Sequence, residues 1–209
     1  MASAETIKRL RERTGAGMMD CKAALAHAGD DIEKAIDFLR QKGLAAAHKK
    51  AGRATSAGVV GTYIHAGGKI GVLVEVNCET DFVARNAAFQ EFVRDVAMQV
   101  AGASPVPLHI HRDEVSAAFI EKERAIYLAQ AKETGKPDAV ISKIVEGRVD
   151  KCLQEICLLD QPFIKDPQVK IKDLLAQKIA QIGENIQIRR FARYQLGEPL
   201  GMEPPPATS

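Results

Sequence analysis

The feature that most constrains this chain is a change of hydrophobic period at Thr80-Asp81-Phe82-Val83-Ala84-Arg85-Asn86. Upstream, Val59–His65 and Ile70–Cys78 are rich in β-branched residues and read as strands. Gly67-Gly68 between them marks a hairpin turn, because tight hairpin turns need positive φ. Ile70, Val72, Val74 and Val76 fall on one face, which must pack on helices. Downstream, Phe89, Phe92, Val96 and Val100 recur at helical spacing, and Asn86 is placed to cap that helix. The seven residues therefore form a strand-to-helix turn, where backbone usually reaches the surface and a side chain can be held out on a rigid mount. Spacing alone leaves Phe82 open, since it lies seven residues before Phe89 and equally extends the core stripe.

The first forty-odd residues read as three short helices. Ile7 and Leu10 share a face of the first, which stops at Thr14-Gly15. Cys21 and Leu25 mark the second, which begins near Met18 and breaks at Gly29-Asp30. Asp30 with Glu33 suggests a capped start for the third, whose stripe is Ile32, Ile36 and Leu39 and whose end is expected at Gly43. Residues 44–57 are small and basic, with His48, Lys49, Lys50 and Arg53, and read as a partly helical linker with solvated cations. Met18 and Met19 are adjacent, so at least one must face outward, where methionine makes an adaptable contact.

Beyond Val100, Pro105 and Pro107 break the chain. A helix over 113–132 carries Val115, Phe119, Ile126 and Ala129. After Gly135-Lys136-Pro137 another carries Ile141, Val145, Val149, Cys152, Ile156 and Leu159. Together they form a helical hairpin over about 113–159. Asp160-Gln161-Pro162 ends it. Ile171, Leu174, Leu175, Ile179 and Ile182 mark a further helix closed by Gly183. Residues 185–194 form a last strand, with Ile186 and Ile188 on one side and Arg189 and Arg193 on the other. The tail 197–209, containing Pro204-Pro205-Pro206, is expected to be loose. The fold class is α+β: an N-terminal helical domain (1–43), a linker (44–57), and a core (58–196) with a small antiparallel sheet packed on helices.

With 209 residues and 46% hydrophobic content, the chain can bury a substantial core. A net charge of +2 and 5% aromatics argue against a nucleic-acid module, which needs a basic face with stacking rings. Neither a membrane span nor a signal peptide is expected, and four dispersed cysteines fit a reduced, cytoplasmic setting. Catalytic patterns are missing. His109 and His111 have no further ligands at metal spacing, so a solvent-facing loop pair is expected. Cys152 and Cys157 lie on or beside an apolar stripe, as small buried hydrophobes. No Gly-rich phosphate loop and no Gly-x-Ser-x-Gly elbow occurs. The residues favour a binding protein without enzymatic activity, cofactor or metal.

Three segments carry a resemblance. Leu10–Leu25, Val76–Asn86 and Gly183–Phe191 are similar, in that order, to the opening, second and closing signatures of the bacterial and organellar elongation factor Ts family. The resemblance implies a guanine nucleotide exchange factor that binds elongation factor Tu·GDP, disturbs its magnesium and nucleotide site, and promotes GDP release. It implies that the opening helices form a domain like the ubiquitin-associated (UBA) domain, docking through Arg11, Met18 and Met19. It also implies that Thr80, Asp81, Phe82 and Val83 insert beside the partner's magnesium, with no direct nucleotide binding by this chain. Glu79 replaces an amide frequent in the family. The single sheet-bearing core resembles short members that pair as homodimers, with the last helices and strand as pairing surfaces. A non-catalytic adaptor built on the UBA-like domain is the competing reading, and it leaves Thr80–Val83 unexplained.

Overall fold

The computed structural model describes residues 2–198. The expected tail lies outside them from residue 199 onward. Among the described residues, α1 (Ala4–Thr14), α2 (Met18–His27) and α3 (Ile32–Lys50) lead to β1 (Ala57–Ile64) and β2 (Ile70–Cys78). There follow α4 (Asp81–Ala84), α5 (Ala87–Gly102), α6 (Ala117–Lys132), α7 (Asp138–Ile156), β3 (Pro162–Phe163), β4 (Asp166–Lys170), α8 (Ile171–Ile182) and β5 (Ile186–Gln195). The main sheet has the order β1-β2-β5, and β3 pairs with β4. The α+β class read from the sequence holds.

The chain divides into two compact units. The first comprises residues 1–63, 72–98 and 172–192. Its opening helices bury Leu10, Cys21, Ala24, Leu25 and Ala35, with Ile7, Ile32, Ile36, Phe38 and Leu39 packed around them. Burial of each large aliphatic side chain contributes about 1.5–3 kcal/mol, so this small cluster is modest by itself. Gly15 ends α1 in the left-handed conformation, as the sequence suggested. Two expectations for α3 fail. Asp31, not Asp30, caps it, because Asp30 is itself left-handed (φ 66°) while the Asp31 carboxylate accepts the Lys34 N–H at 3.1 Å. The helix also runs through Gly43 to Lys50. Gly43 is buried against α8, where a Cβ would make an ordinary contact 3.6 Å from the Ala176 carbonyl oxygen, so the helix passes through it without a stop. Farther along, Lys50 donates to the Ile179 carbonyl at 3.4 Å.

In the same unit Val72, Val74 and Val76 of β2 are buried, as are Phe89, Phe92, Val93 and Val96 of α5 and Ile186 and Ile188 of β5. The alternation read in Ile70–Cys78 thus places one face of the sheet inward, though Ile70 itself is only half-buried.

The second unit comprises 64–71, 99–171 and the chain from 193. The turn at Gly67-Gly68 has φ of 86° and 69°, supplied by glycine without strain. The hairpin of α6 and α7 closes over Ala131, Ile141, Val145 and Val149. Its first helix starts later than expected: residues 112–114 form a 3₁₀ turn, and Ser116 caps α6 by accepting the Phe119 N–H at 3.2 Å. Pro137 stands just before α7. The small β3-β4 hairpin was not read from the sequence, since Asp166-Pro167 signals a loop and two-residue β3 leaves no period to detect. Of the two arginines read onto one side of the last strand, Arg189 is exposed, whereas the Arg193 side chain is largely covered and pairs with Glu198 at 2.6 Å.

Candidate functional site

The turn leaving β2 is built by its first residue. Thr80 has extended backbone (φ −132°, ψ 151°), and its hydroxyl accepts the Val83 N–H at 3.3 Å, which starts α4. The Thr80 carbonyl accepts the Ala84 N–H at 3.1 Å, and the Val83 carbonyl accepts the Asn86 N–H at 2.9 Å. Asn86 then caps α5, its side chain accepting the Ala88 N–H at 2.8 Å. Gln90 donates back to the Ala84 carbonyl at 2.5 Å.

This bonding fixes which residues point in and which point out. Val83 and Ala84 are each 5% exposed and anchor the turn, while Phe82 is 83% exposed. Asp81 is exposed beside it. The question that spacing left open is therefore answered: the core stripe of α5 begins at Phe89, and the Phe82 ring stands in solvent. An aromatic ring this exposed beside buried neighbours is a surface available to a partner.

Behind the turn, two segments about a hundred residues apart hold each other. Glu184 accepts the Glu79 N–H at 3.1 Å, the Thr80 N–H at 3.0 Å and the Thr80 hydroxyl at 2.7 Å. In return Glu79 accepts the Asn185 N–H at 2.6 Å and faces Arg53 at 3.4 Å. Asn185 is buried, and its amide donates to the Arg53 carbonyl at 2.8 Å. Cys78 is buried under the turn, with its thiol 3.3 Å from the Thr80 carbonyl. Burial first, and the nearby Glu184 charge second, push that thiol above its ordinary range, so it is held protonated. Glu79 and Glu184 were not assigned roles from the sequence. The only available signal was a carboxylate at each edge of a conspicuous segment, and their exchange of backbone donors is invisible in one dimension.

The other expected contact residues lie on separate elements. Arg11 is exposed in the last turn of α1, and its carbonyl accepts the Gly15 N–H at 2.7 Å. Met18 and Met19 open α2 and are 59% and 74% exposed, so both face outward. Two exposed methionines beside a tight corner form an adaptable apolar contact. His109 is half-buried beside Cys157, and His111 is exposed. All four cysteines are free and buried. Among the described residues no cluster of three or more His, Cys, Asp or Glu is placed to hold a metal ion, and no helix is long and apolar enough to cross a membrane.

Comparison with known proteins agrees with this geometry. The family model described as Elongation factor TS matches residues 27–198. Elongation factor Ts of Carboxydothermus hydrogenoformans is 60% identical over 200 residues, covering 96% of this chain and 91% of that protein. Elongation factor Ts of Geotalea daltonii is 60% identical over 198 residues, covering 95% and 91%. With the signature turn in place and similarity running along nearly its whole length, this chain belongs to the elongation factor Ts family.

Proposed function

We propose that this chain is a translation elongation factor that promotes nucleotide exchange on elongation factor Tu, and that it does so by presenting Phe82 from a rigid turn. The observation that carries the reading is the 83% exposure of Phe82 between buried Val83 and the bonded Thr80 cap. An exposed ring on a fixed backbone reaches an apolar gap in a partner at little ordering cost. In the exchange reaction Phe82 wedges into the nucleotide-binding domain of elongation factor Tu and shifts a helix. Asp81 engages polar groups near the magnesium and disturbs its water shell. Thr80 and Val83 keep both side chains aimed. Arg11, Met18 and Met19 dock the opening helices, residues 1–43, as a UBA-like domain joined through 44–57 to the core.

GDP and magnesium are held by specific oxygen contacts, so a small displacement of their loops costs much affinity. The coupling is reciprocal: a factor that weakens nucleotide binding is itself bound less tightly once nucleotide returns. GTP binding therefore expels the factor. No bond is made or broken by this chain, and it needs no cofactor and no nucleotide site of its own. The setting is cytoplasmic.

A homodimer belongs to the same proposal. Tyr194 and Leu196 at the end of β5 are 70% and 76% exposed, which supports pairing through the last strand. Light scattering at working concentration reads it directly, and a monomer there removes it.

The test of function is release of labelled GDP from elongation factor Tu with and without this protein. Acceleration is expected, and Phe82→Ala should slow it by roughly 10- to 100-fold, the loss typical of a central aromatic contact. Acceleration by Phe82→Ala at the normal rate would refute the wedge.

A further inference from the structure

We infer that Glu184 is a positioning residue for exchange, acting on elongation factor Tu only through the aim of Phe82. The inference rests on the functional reading above. Its starting point is the bonding of one carboxylate. Oε2 accepts two successive backbone N–H groups, from Glu79 and Thr80, while Oε1 takes the Thr80 hydroxyl proton at 2.7 Å.

That third bond has a directional consequence. A threonine hydroxyl has one proton and two lone pairs. With the proton committed to Glu184, a lone pair is left for the Val83 N–H, which it accepts at 3.3 Å. The Val83 N–H thus donates to the Thr80 hydroxyl, which in turn donates to the Glu184 carboxylate. Phe82 lies inside this loop, and its ring makes almost no contact of its own because it is 83% exposed. Its direction is therefore set by the backbone at 80–83, and that backbone is held from behind by Glu184.

The carboxylate is itself anchored. The next residue, Asn185, is 2% exposed, donates its N–H to Glu79 at 2.6 Å, and donates its amide to the Arg53 carbonyl at 2.8 Å. Side chains that lock the backbone under a contact residue determine whether that contact is made in the productive geometry. A displacement of about 1 Å at such a site can cost on the order of 100-fold in rate. Glu184 is half-buried and spends its carboxylate on the backbone and hydroxyl of the turn, so its removal should affect the step after docking more than docking.

The experiment measures GDP release from elongation factor Tu against concentration of this protein, for wild type, Phe82→Ala, Glu184→Ala, Glu184→Gln and Phe82→Ala/Glu184→Ala. Glu184→Ala is expected to lower the maximal rate roughly 10-fold or more while the half-saturating concentration stays within about twofold. Glu184→Gln keeps one acceptor oxygen and should fall between Ala and wild type. It also keeps the question open to measurement should the Ala variant fold poorly by circular dichroism. In the Phe82→Ala background, loss of Glu184 should cost little more, because the ring it aims is gone. The inference is overturned if Glu184→Ala reaches the wild-type maximal rate, if only the half-saturating concentration moves, or if the two substitutions multiply independently. Failure of the wild type to accelerate release would instead overturn the functional reading, and this inference with it.

Discussion

Arg40 Nη2 stands 2.9 Å from Asp173 Oδ2, joining α3 to the first turn of α8. The carboxylate side is 3% exposed and the arginine side 45%. Oδ2 receives no aligned hydrogen bond, so the guanidinium charge is what compensates it. Arg40→Ala leaves a buried carboxylate without its counter-charge, and because the arginine is half in water the loss should be about 1–3 kcal/mol rather than that of a fully buried pair. Adding Asp173→Asn should restore part of it, since a neutral amide needs no counter-charge. Urea midpoints for the two singles and the double provide the check. An Arg40→Ala protein as stable as wild type would mean the pair contributes nothing.

Neighbouring residues of the turn after β2 should separate stability from the proposed function. Phe82→Ala removes a ring that is already in solvent, so folding stability should change by no more than about 0.5 kcal/mol. Val83→Ala opens a small cavity at a residue 5% exposed and should cost roughly 1–3 kcal/mol. In GDP release the order reverses, with the Phe82 variant the slower of the two. Equal losses of stability from both would show that the ring packs on its own chain in solution.

The turn was legible because two periods meet there. Alternation in Ile70–Cys78 and helical spacing from Phe89 fixed β2 and α5 to within a residue. Local chemistry also read correctly at Gly15, Asn86 and Gly183. What failed depended on backbone geometry or on partners distant in the chain. Gly43 looks like a helix stop, yet α3 continues through it with its backbone buried against α8. Asp30 and Asp31 are alternative caps, and only the left-handed backbone at Asp30 decides between them. Phe82 carries no sign of its own exposure, because residue spacing is the same for a stripe that continues and one that stops. Glu184 and Thr80 are 104 positions apart, and no pattern in one segment announces the other.

Gly61 on β1 gives a test of how closely the sheet meets α5. A Cβ built there would fall well inside contact distance of Val93 Cγ1. Gly61→Ala must therefore push the helix or force Val93 from its rotamer, at a cost of about 1–3 kcal/mol. Val93 is 2% exposed and has little room to move. Val93→Ala removes the opposing methyl groups, so the double variant should be more stable than the sum of the singles predicts. Additive losses in urea unfolding would place the strain elsewhere.

The buried thiols set an alkaline limit on stability. Burial pushes Cys21, Cys78 and Cys152 above the ordinary value of 9.0, and raises Cys157 to about 11, with the Asp160 charge adding to it. Tyr127 moves the same way, through burial first and its hydrogen bond with Glu123 second. In each case the unfolded chain loses its proton at lower pH than the folded chain. For Cys157 the stabilisation is complete below about pH 9 and is lost as pH rises toward about 11, because there only the unfolded form gains from ionising. Unfolding midpoints should hold level from these groups up to pH 8.5 and then decline. Lysines titrate in the same range, so the informative quantity is the difference in slope between wild type and Cys157→Ala. That variant has a lower midpoint at pH 7, from the cavity it leaves, but should decline less steeply between pH 9 and pH 11. Parallel slopes would mean that Cys157 ionises as readily folded as unfolded, and that its enclosure opens to water well before the protein unfolds.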